Sequence, residues 1–127
     1  MLRRAFLILA LMASTAALAG NLSFLQGSAI SRFDAEDMDL MLKNADEVLA
    51  SETANAKREW SNPKTGSSGF AEVREQFVST DGKSCKRLRV GNKAQGTTAK
   101  EATYTLCKHE DAWMLDSNAV RPASDKP

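Results

Sequence analysis

Residues 83–107, KSCKRLRVGNKAQGTTAKEATYTLC, decide the fold of this chain. Two runs of strand composition, residues 83–90 and 98–107, flank a segment that contains two glycines. Because alternate residues of a strand point to opposite faces of a sheet, Leu88 and Val90 should face the core while the arginines beside them face away. The stretch therefore predicts two antiparallel strands with one apolar and one polar face.

The two cysteines of this stretch test its register. If Cys85 and Cys107 are cross-strand partners, the same register places Leu88 opposite Tyr104, so that core-facing residues meet each other. A slip of one residue would turn the apolar residues of one strand toward solvent. We therefore expect a structural disulfide that contributes about 3 kcal/mol by the entropic account. The alternative is a redox-active pair, but such pairs usually have the spacing C-x-x-C at a helix start, which this sequence lacks.

The rest of the chain divides into an acidic helical segment and a strand-rich segment. Asp34 is a candidate helix N-cap. Apolar residues then recur at helical spacing, namely Met38, Met41, Leu42, Ala45, Val48 and Leu49. A soft-metal site at the two methionines is the alternative to simple core packing. Turn signals separate further strand-like stretches at 70–79 and 112–115, and a short one ends at Trp60. The sequence predicts the α+β class, with one N-terminal helix packed on a small antiparallel sheet of four to five strands in a meander.

The start of the chain has the three parts of a secretory signal peptide. A basic opening is followed by a short apolar run and by small residues that end in Ala17-Leu18-Ala19. The run is too short to span a bilayer, so we expect residues 1–19 to be a cleavable signal peptide, with an uncleaved membrane anchor as the alternative. Residues 20–116 then form one domain, and residues 117–127 form a flexible tail.

The charge balance argues against a nucleic-acid partner. The chain has 17 basic and 16 acidic residues, and cleavage of the signal peptide would remove two of the arginines. The mature chain is then nearly neutral, without the basic excess that nucleic acid or a polybasic membrane contact requires. We expect no transmembrane span in the mature chain.

Three motifs resemble a known family. Residues 60–69 read WSNPKTGSSG, residues 82–86 read GKSCK, and residues 107–113 read CKHEDAW. Together they resemble the bacterial outer-membrane surface-antigen domain family, the rickettsial type of surface protein, whose pattern is W-x-N-P-x-T-G-x-x-G, G-x-x-C-R and C-R-x-x-D-G-x-W. The likeness covers most of residues 22–116. Departures from the pattern are Lys86, Lys108 and Ala112, and Trp113 follows one residue earlier than in the pattern. The resemblance implies an envelope location and a shared fold, and it brings no catalytic activity with it.

No catalytic or metal-binding set stands out. The only histidine, His109, lies in a predicted turn, so that hydrolytic triads and zinc sites lack their ligands. We therefore expect no catalytic residue, no metal and no cofactor. The sequence favours a non-enzymatic exported cell-envelope protein that acts through protein or envelope-polymer contacts. Its expected location is the periplasm, with outer-membrane association or secretion as alternatives, and its expected partner is an envelope protein or an anionic envelope polymer.

The alternative function is a small-molecule or glycan-binding module that uses a basic sheet face. The residues of the predicted binding face are Lys86, Arg87, Arg89 and Trp60. The competing interpretations are a solvated face whose charge the acidic helix offsets and, for Trp60, an anchor of the core.

Overall fold

The computed structural model describes residues 30–122. The predicted signal peptide, the apolar segment before Ile30 and the last five residues of the predicted tail lie outside the described residues. A 3-10 turn is followed by one helix and five strands: Ile30–Arg32, α1 Ala35–Ala50, β1 Lys57–Asn62, β2 Ser67–Val78, β3 Ser84–Lys93, β4 Lys100–His109 and β5 Ala112–Leu115. The strands lie side by side in chain order and all pairs are antiparallel, which confirms the predicted α+β meander.

Helix α1 begins where the sequence predicts. The side chain of Asp34 accepts a hydrogen bond from the backbone of Asp37 at 2.8 Å, and the side chain of Asp37 accepts one from the backbone of Asp34 at 3.1 Å. This reciprocal capping satisfies two amide groups that a helix start otherwise leaves unpaired. The helix ends at Ala50 because Ser51 is extended. The predicted apolar stripe packs on the sheet, with Met41 in the core and Met38 against it.

The helix covers one face of the sheet, which we call the helix face. Its central residues Val73, Leu88 and Leu106 are almost completely buried. Trp60 belongs to the same core, where its ring meets that of Phe33 edge-on with 5.3 Å between the ring centroids. Burial of these side chains is the main favourable contribution to folding.

The predicted register of β3 and β4 is confirmed. Cys85 lies opposite Cys107 and Leu88 lies opposite Tyr104. The two cysteines form a disulfide and both are buried. One irregularity was not predicted: a β-bulge in β2 near Arg74 shifts its register against β3 by one residue.

We call the second face of the sheet, which carries Phe70, Arg87 and Arg89, the open face. The segment after β5 contacts the part of it near the β2–β3 turn. The backbone of Thr80 donates a hydrogen bond to the carbonyl of Val120 at 3.0 Å, and Arg121 forms an ion pair with Glu75. These contacts involve residues 117–122, the described part of the predicted tail.

Candidate binding face

The four residues of the predicted binding face do not share one face. Arg87 and Arg89 lie on the open face, whereas Lys86 and Trp60 lie on the helix face. The physical reason is strand alternation: Lys86 has the same parity as Leu88 and therefore points toward the core. The four residues therefore do not form one continuous face, and their part in binding stays a prediction.

Lys86 holds the end of α1. Its Nζ donates hydrogen bonds to the carbonyl of Leu49 at 2.7 Å and to that of Ser51 at 2.9 Å. It also lies 5.1 Å from the centroid of the Trp113 ring. A cation placed at the carbonyl end of a helix is favoured by the helix dipole. Burial, and secondly the positive charge of Lys108, lower the pKa of Lys86. Lys86 is therefore a structural residue of the helix–sheet interface.

Trp60 is closely confined and serves as a core anchor, the alternative that the sequence had left open. Its Nε1 is buried without a hydrogen-bond partner among the described residues. A Cβ added to Gly69, the residue opposite Trp60 on β2, would lie 2.5 Å from this Nε1 and 2.7 Å from Asn92 Oδ1. The indole can occupy its position only because residue 69 has no side chain.

On the open face, acidic residues of the neighbouring strands offset the arginines. Arg89 forms ion pairs with Glu101 at 2.6 Å and with Glu72 at 3.6 Å. Arg87 lies 4.0 Å from Glu75. One interpretation of the sequence was that the acidic helix balances the positive charge of this face. For the two arginines, carboxylates on β2 and β4 balance the charge instead. A hydrogen bond from Arg74 is the main cause that lowers the pKa of Glu72, and the positive charges of Lys57 and Arg89 act in the same direction.

A depression of about 410 Å³ lies at the β1–β2–β3 end of the open face. The ring of Phe70 lies against Gly91 of β3, where an added Cβ would be 2.3 Å from a ring carbon. Lys57 Nζ and the guanidinium carbon of Arg89 are 5.1 and 4.9 Å from the ring centroid, within the range of cation–π contacts. Lys93 lines the depression and forms no ion pair with a described residue.

The depression therefore combines an aromatic surface, cations and hydroxyl groups. The remaining polar lining includes Glu59, Ser61 and Ser68. Its volume falls in the range of small-molecule sites, which are usually concave with a few polar groups around an apolar wall. Of the predicted binding residues, Trp60 lines the depression. Sequence reasoning missed Phe70 and Gly91 because they are far apart in the chain.

The motif Asn62-Pro63-Lys64-Thr65-Gly66 has a structural role. Oδ1 of Asp37 accepts hydrogen bonds from Asn62 Nδ2 at 2.8 Å and from Thr65 Oγ1 at 2.6 Å. We call Asp37, Asn62 and Thr65 the Asp37 cluster. Burial raises the pKa of Asp37, but the hydrogen bonds from Thr65, from the backbone of Asp34 and from Asn62 together outweigh it, and the pKa is lowered. The motif thus ties the β1–β2 turn to the start of α1.

The described residues contain little that could support metal or hydrolytic chemistry. His109 Nε2 lies 3.5 Å from a carboxylate oxygen of Asp116 at the β4–β5 end of the sheet. Between residues 30 and 122, no group of three or more His, Cys, Asp or Glu side chains could hold a metal ion. No helix in this part of the chain is both long and apolar enough to cross a membrane.

Comparison with known proteins agrees with the motifs. The family model described as 17 kDa outer membrane surface antigen matches residues 47–113, slightly more than half of the chain. Neither the curated proteins nor the solved structures yield a match. The matched range contains the Asn62–Gly66 turn, both cysteines and all of β1 to β4. The chain therefore belongs to the 17 kDa outer membrane surface antigen family.

Proposed function

We propose that this chain is a non-enzymatic cell-envelope protein that binds an anionic envelope polymer through the open face. The observation that carries the proposal is the depression at Phe70. An aromatic ring there is accessible beside Lys93, a cation without an ion pair among the described residues. An aromatic surface suits the apolar side of a sugar ring, and a lysine suits a carboxylate or phosphate.

The charges of the open face support binding by contact rather than by bulk attraction. The arginines are already paired with Glu72, Glu75 and Glu101, so that the face as a whole has little excess charge. Long-range steering of an anionic partner should therefore be weak. Recognition would depend instead on the local group of Phe70, Lys57 and Lys93 around the depression.

Co-sedimentation with purified peptidoglycan tests this proposal, because this polymer combines sugar rings with carboxylates. We expect the wild type to sediment with the polymer, and Phe70→Ala and Lys93→Glu to remain in solution. Lys100→Glu is the matched control: it makes the same charge change at the neighbouring strand, but Lys100 lies on the helix face. Circular dichroism should show that all variants are folded. Equal sedimentation of all four proteins, or none by any of them, would contradict the proposal.

The alternative is a small-molecule or glycan-binding module, and the volume of the depression favours it as a second candidate. A soluble disaccharide–peptide fragment of the same polymer separates the two. If the fragment binds the wild type with a saturable isotherm and displaces the polymer, the site recognises a single saccharide unit. If only the polymer binds, an extended contact is required.

We also propose that the chain is exported with cleavage after Ala19 and resides in the periplasm. The support is the tripartite start of the sequence and the disulfide, because disulfides persist in oxidising compartments. The intact mass of the protein from its native envelope provides the test. We expect the mass of residues 20–127 less two hydrogens, with alkylation of cysteines only after reduction. Free thiols on an uncleaved chain would refute both export and the oxidised compartment.

A further inference from the structure

The two edges of the sheet differ in a way that points to a partner strand. The edge formed by β1 carries three consecutive charged residues, Lys57, Arg58 and Glu59. Charged side chains on an edge strand discourage pairing with another chain. The edge formed by β5 reads Ala112-Trp113-Met114-Leu115 and carries no charge. Only the β5 edge lacks this protection.

Within residues 30–122, the backbone of β5 leaves groups without a strand partner at two residues. Asp116 donates its backbone N–H to the carbonyl of Thr105 at 2.9 Å, so this pair belongs to the hydrogen-bonded positions of the β4–β5 ladder. In an antiparallel ladder such positions alternate with non-hydrogen-bonded ones. Met114 is therefore bonded to β4, whereas the N–H and C=O groups of Trp113 and Leu115 point away from it. These four groups form the free edge.

Apolar side chains accompany this edge. Among the described residues, the large apolar side chains that are clearly exposed are Val78, Met114, Leu115 and Val120. Two of these four belong to β5, and the exposed fraction is 42% for Met114 and 46% for Leu115. An apolar edge strand with open hydrogen-bonding groups is a template for strand addition.

We propose that a second copy of this chain occupies this edge, with β5 pairing antiparallel to β5 of the partner. One symmetric register suits the four-residue strand: Trp113 opposite Leu115 of the partner subunit, with the two Met114 residues facing each other at the axis. This register uses all four free groups of each copy and forms four hydrogen bonds. Registers shifted by one position would pair residue 111 or residue 117, which lie outside β5.

The side chains are complementary in this register. Trp113 and Leu115 lie on the helix face, so that two apolar cross-strand pairs form there, and the two Met114 side chains meet on the open face. The next position places Asp116 opposite Ala112, and no like charges stand directly opposite each other. Both copies of α1 would lie on the same side of a continuous ten-stranded sheet. Because β5 is short, the association should be weak and dependent on concentration.

Sedimentation velocity over a wide range of protein concentration tests the dimer. We expect a reversible monomer–dimer equilibrium for the wild type. Leu115→Lys should weaken it by about tenfold or more, because both apolar pairs are lost. Val78→Lys is the matched control: it removes an apolar side chain that is 53% exposed but lies outside β5, and the equilibrium should not change. A wild type that stays monomeric at every concentration overturns the proposal, as does a dimer that Leu115→Lys leaves intact.

Amide hydrogen exchange provides a readout that does not require a variant. In the dimer, the N–H groups of Trp113 and Leu115 acquire carbonyl partners, whereas that of Met114 already has one in β4. Raising the protein concentration should therefore slow exchange at residues 113 and 115 and leave residue 114 unchanged. Exchange at these two amides that is independent of concentration would place any dimer contact elsewhere and reject the β5 register.

Discussion

The Asp37 cluster should be one of the main polar contributions to the stability of the domain. Asp37 is buried. One of its carboxylate oxygens accepts hydrogen bonds from Asn62 and Thr65, and the other accepts one from the backbone N–H of Asp34. Asp37→Ala removes all three acceptor contacts at once. The buried amide of Asn62 is then left without a partner, and the hydroxyl of Thr65 keeps only a long contact of 3.5 Å with the carbonyl of Asn62.

The magnitude follows from the charges and the burial. A hydrogen bond to a charged group contributes about 1.5–3 kcal/mol, and a buried donor left unpaired costs a similar amount. Partial relaxation of the turn recovers some of this. We therefore expect Asp37→Ala to lower the free energy of unfolding by about 3–4 kcal/mol, a large part of the roughly 5–15 kcal/mol typical of a domain.

Urea unfolding followed by circular dichroism measures this loss, with two further variants for comparison. Asp37→Asn keeps one acceptor oxygen but loses the charge, and should cost about half as much. Asp39→Ala changes an exposed carboxylate on the same helix and should stay within about 0.5 kcal/mol of the wild type. If Asp37→Ala resembles Asp39→Ala, the Asp37 cluster contributes no net stability and the reasoning fails.

Acid titration gives the same prediction an independent check. The pKa of Asp37 is lowered from its ordinary value of 3.8, so its ionised form stabilises the folded state at neutral pH. That contribution should disappear as the pH falls below 3.8 toward the lower pKa of the folded state. The difference in stability between the wild type and Asp37→Asn should therefore shrink in acid. A difference that stays constant down to the lowest pH at which the protein folds would show that ionisation is not its source.

Three further perturbations test other parts of the structure. Replacing Cys85 and Cys107 with alanine should lower the free energy of unfolding by about 3 kcal/mol, and a reductant should shift the urea midpoint of the wild type only. Burial lowers the pKa of Lys86, so the folded state holds this proton less tightly than the unfolded chain does. The wild type should therefore gain stability relative to Lys86→Met as the pH rises toward 10.5, which urea midpoints in alkaline buffers measure. Gly69→Ala should cost about 2 kcal/mol or more by overpacking, whereas Gly82→Ala, with open space around it, should cost about 1 kcal/mol through its positive φ alone; thermal unfolding compares the two.

The sequence sufficed for the elements and for one register because their signals are local and redundant. An N-cap and a stripe of apolar residues define α1 without reference to the sheet. For β3 and β4, the core face, the polar face and the cysteine pair all require the same alignment, so that an error in one would conflict with the other two. Agreement between independent requirements of this kind marks a register that sequence alone can establish.

The candidate site was not predictable because it depends on a bulge. Continuing the register that β2 and β3 have near their connecting turn would place Phe70 opposite Asn92. The bulge near Arg74 moves Phe70 by one position, so that it lies opposite Gly91, the one partner that leaves room for its ring. No residue in β2 marks the bulge in the sequence. For Lys86 the sequence contained part of the answer. Lys86 is two residues from Leu88 on the same strand, which indicates the core side, but its carbonyl partners at the end of α1 follow only from the packed structure.

The motifs that resemble the family hold the scaffold together and also reach the depression. Asn62 and Thr65 hold the helix start, and the two cysteines join β3 to β4. Asp37, the partner of Asn62 and Thr65, lies outside the matched range of residues 47–113, so the turn depends on a helix start beyond the match. The depression is lined partly by the 60–69 motif, through residues such as Trp60 and Ser68, whereas Phe70 and Lys93 lie outside the motifs. In this chain the 60–69 motif therefore serves two purposes: Asn62 and Thr65 join the helix to the sheet, and the residues at its two ends form part of the wall of the depression.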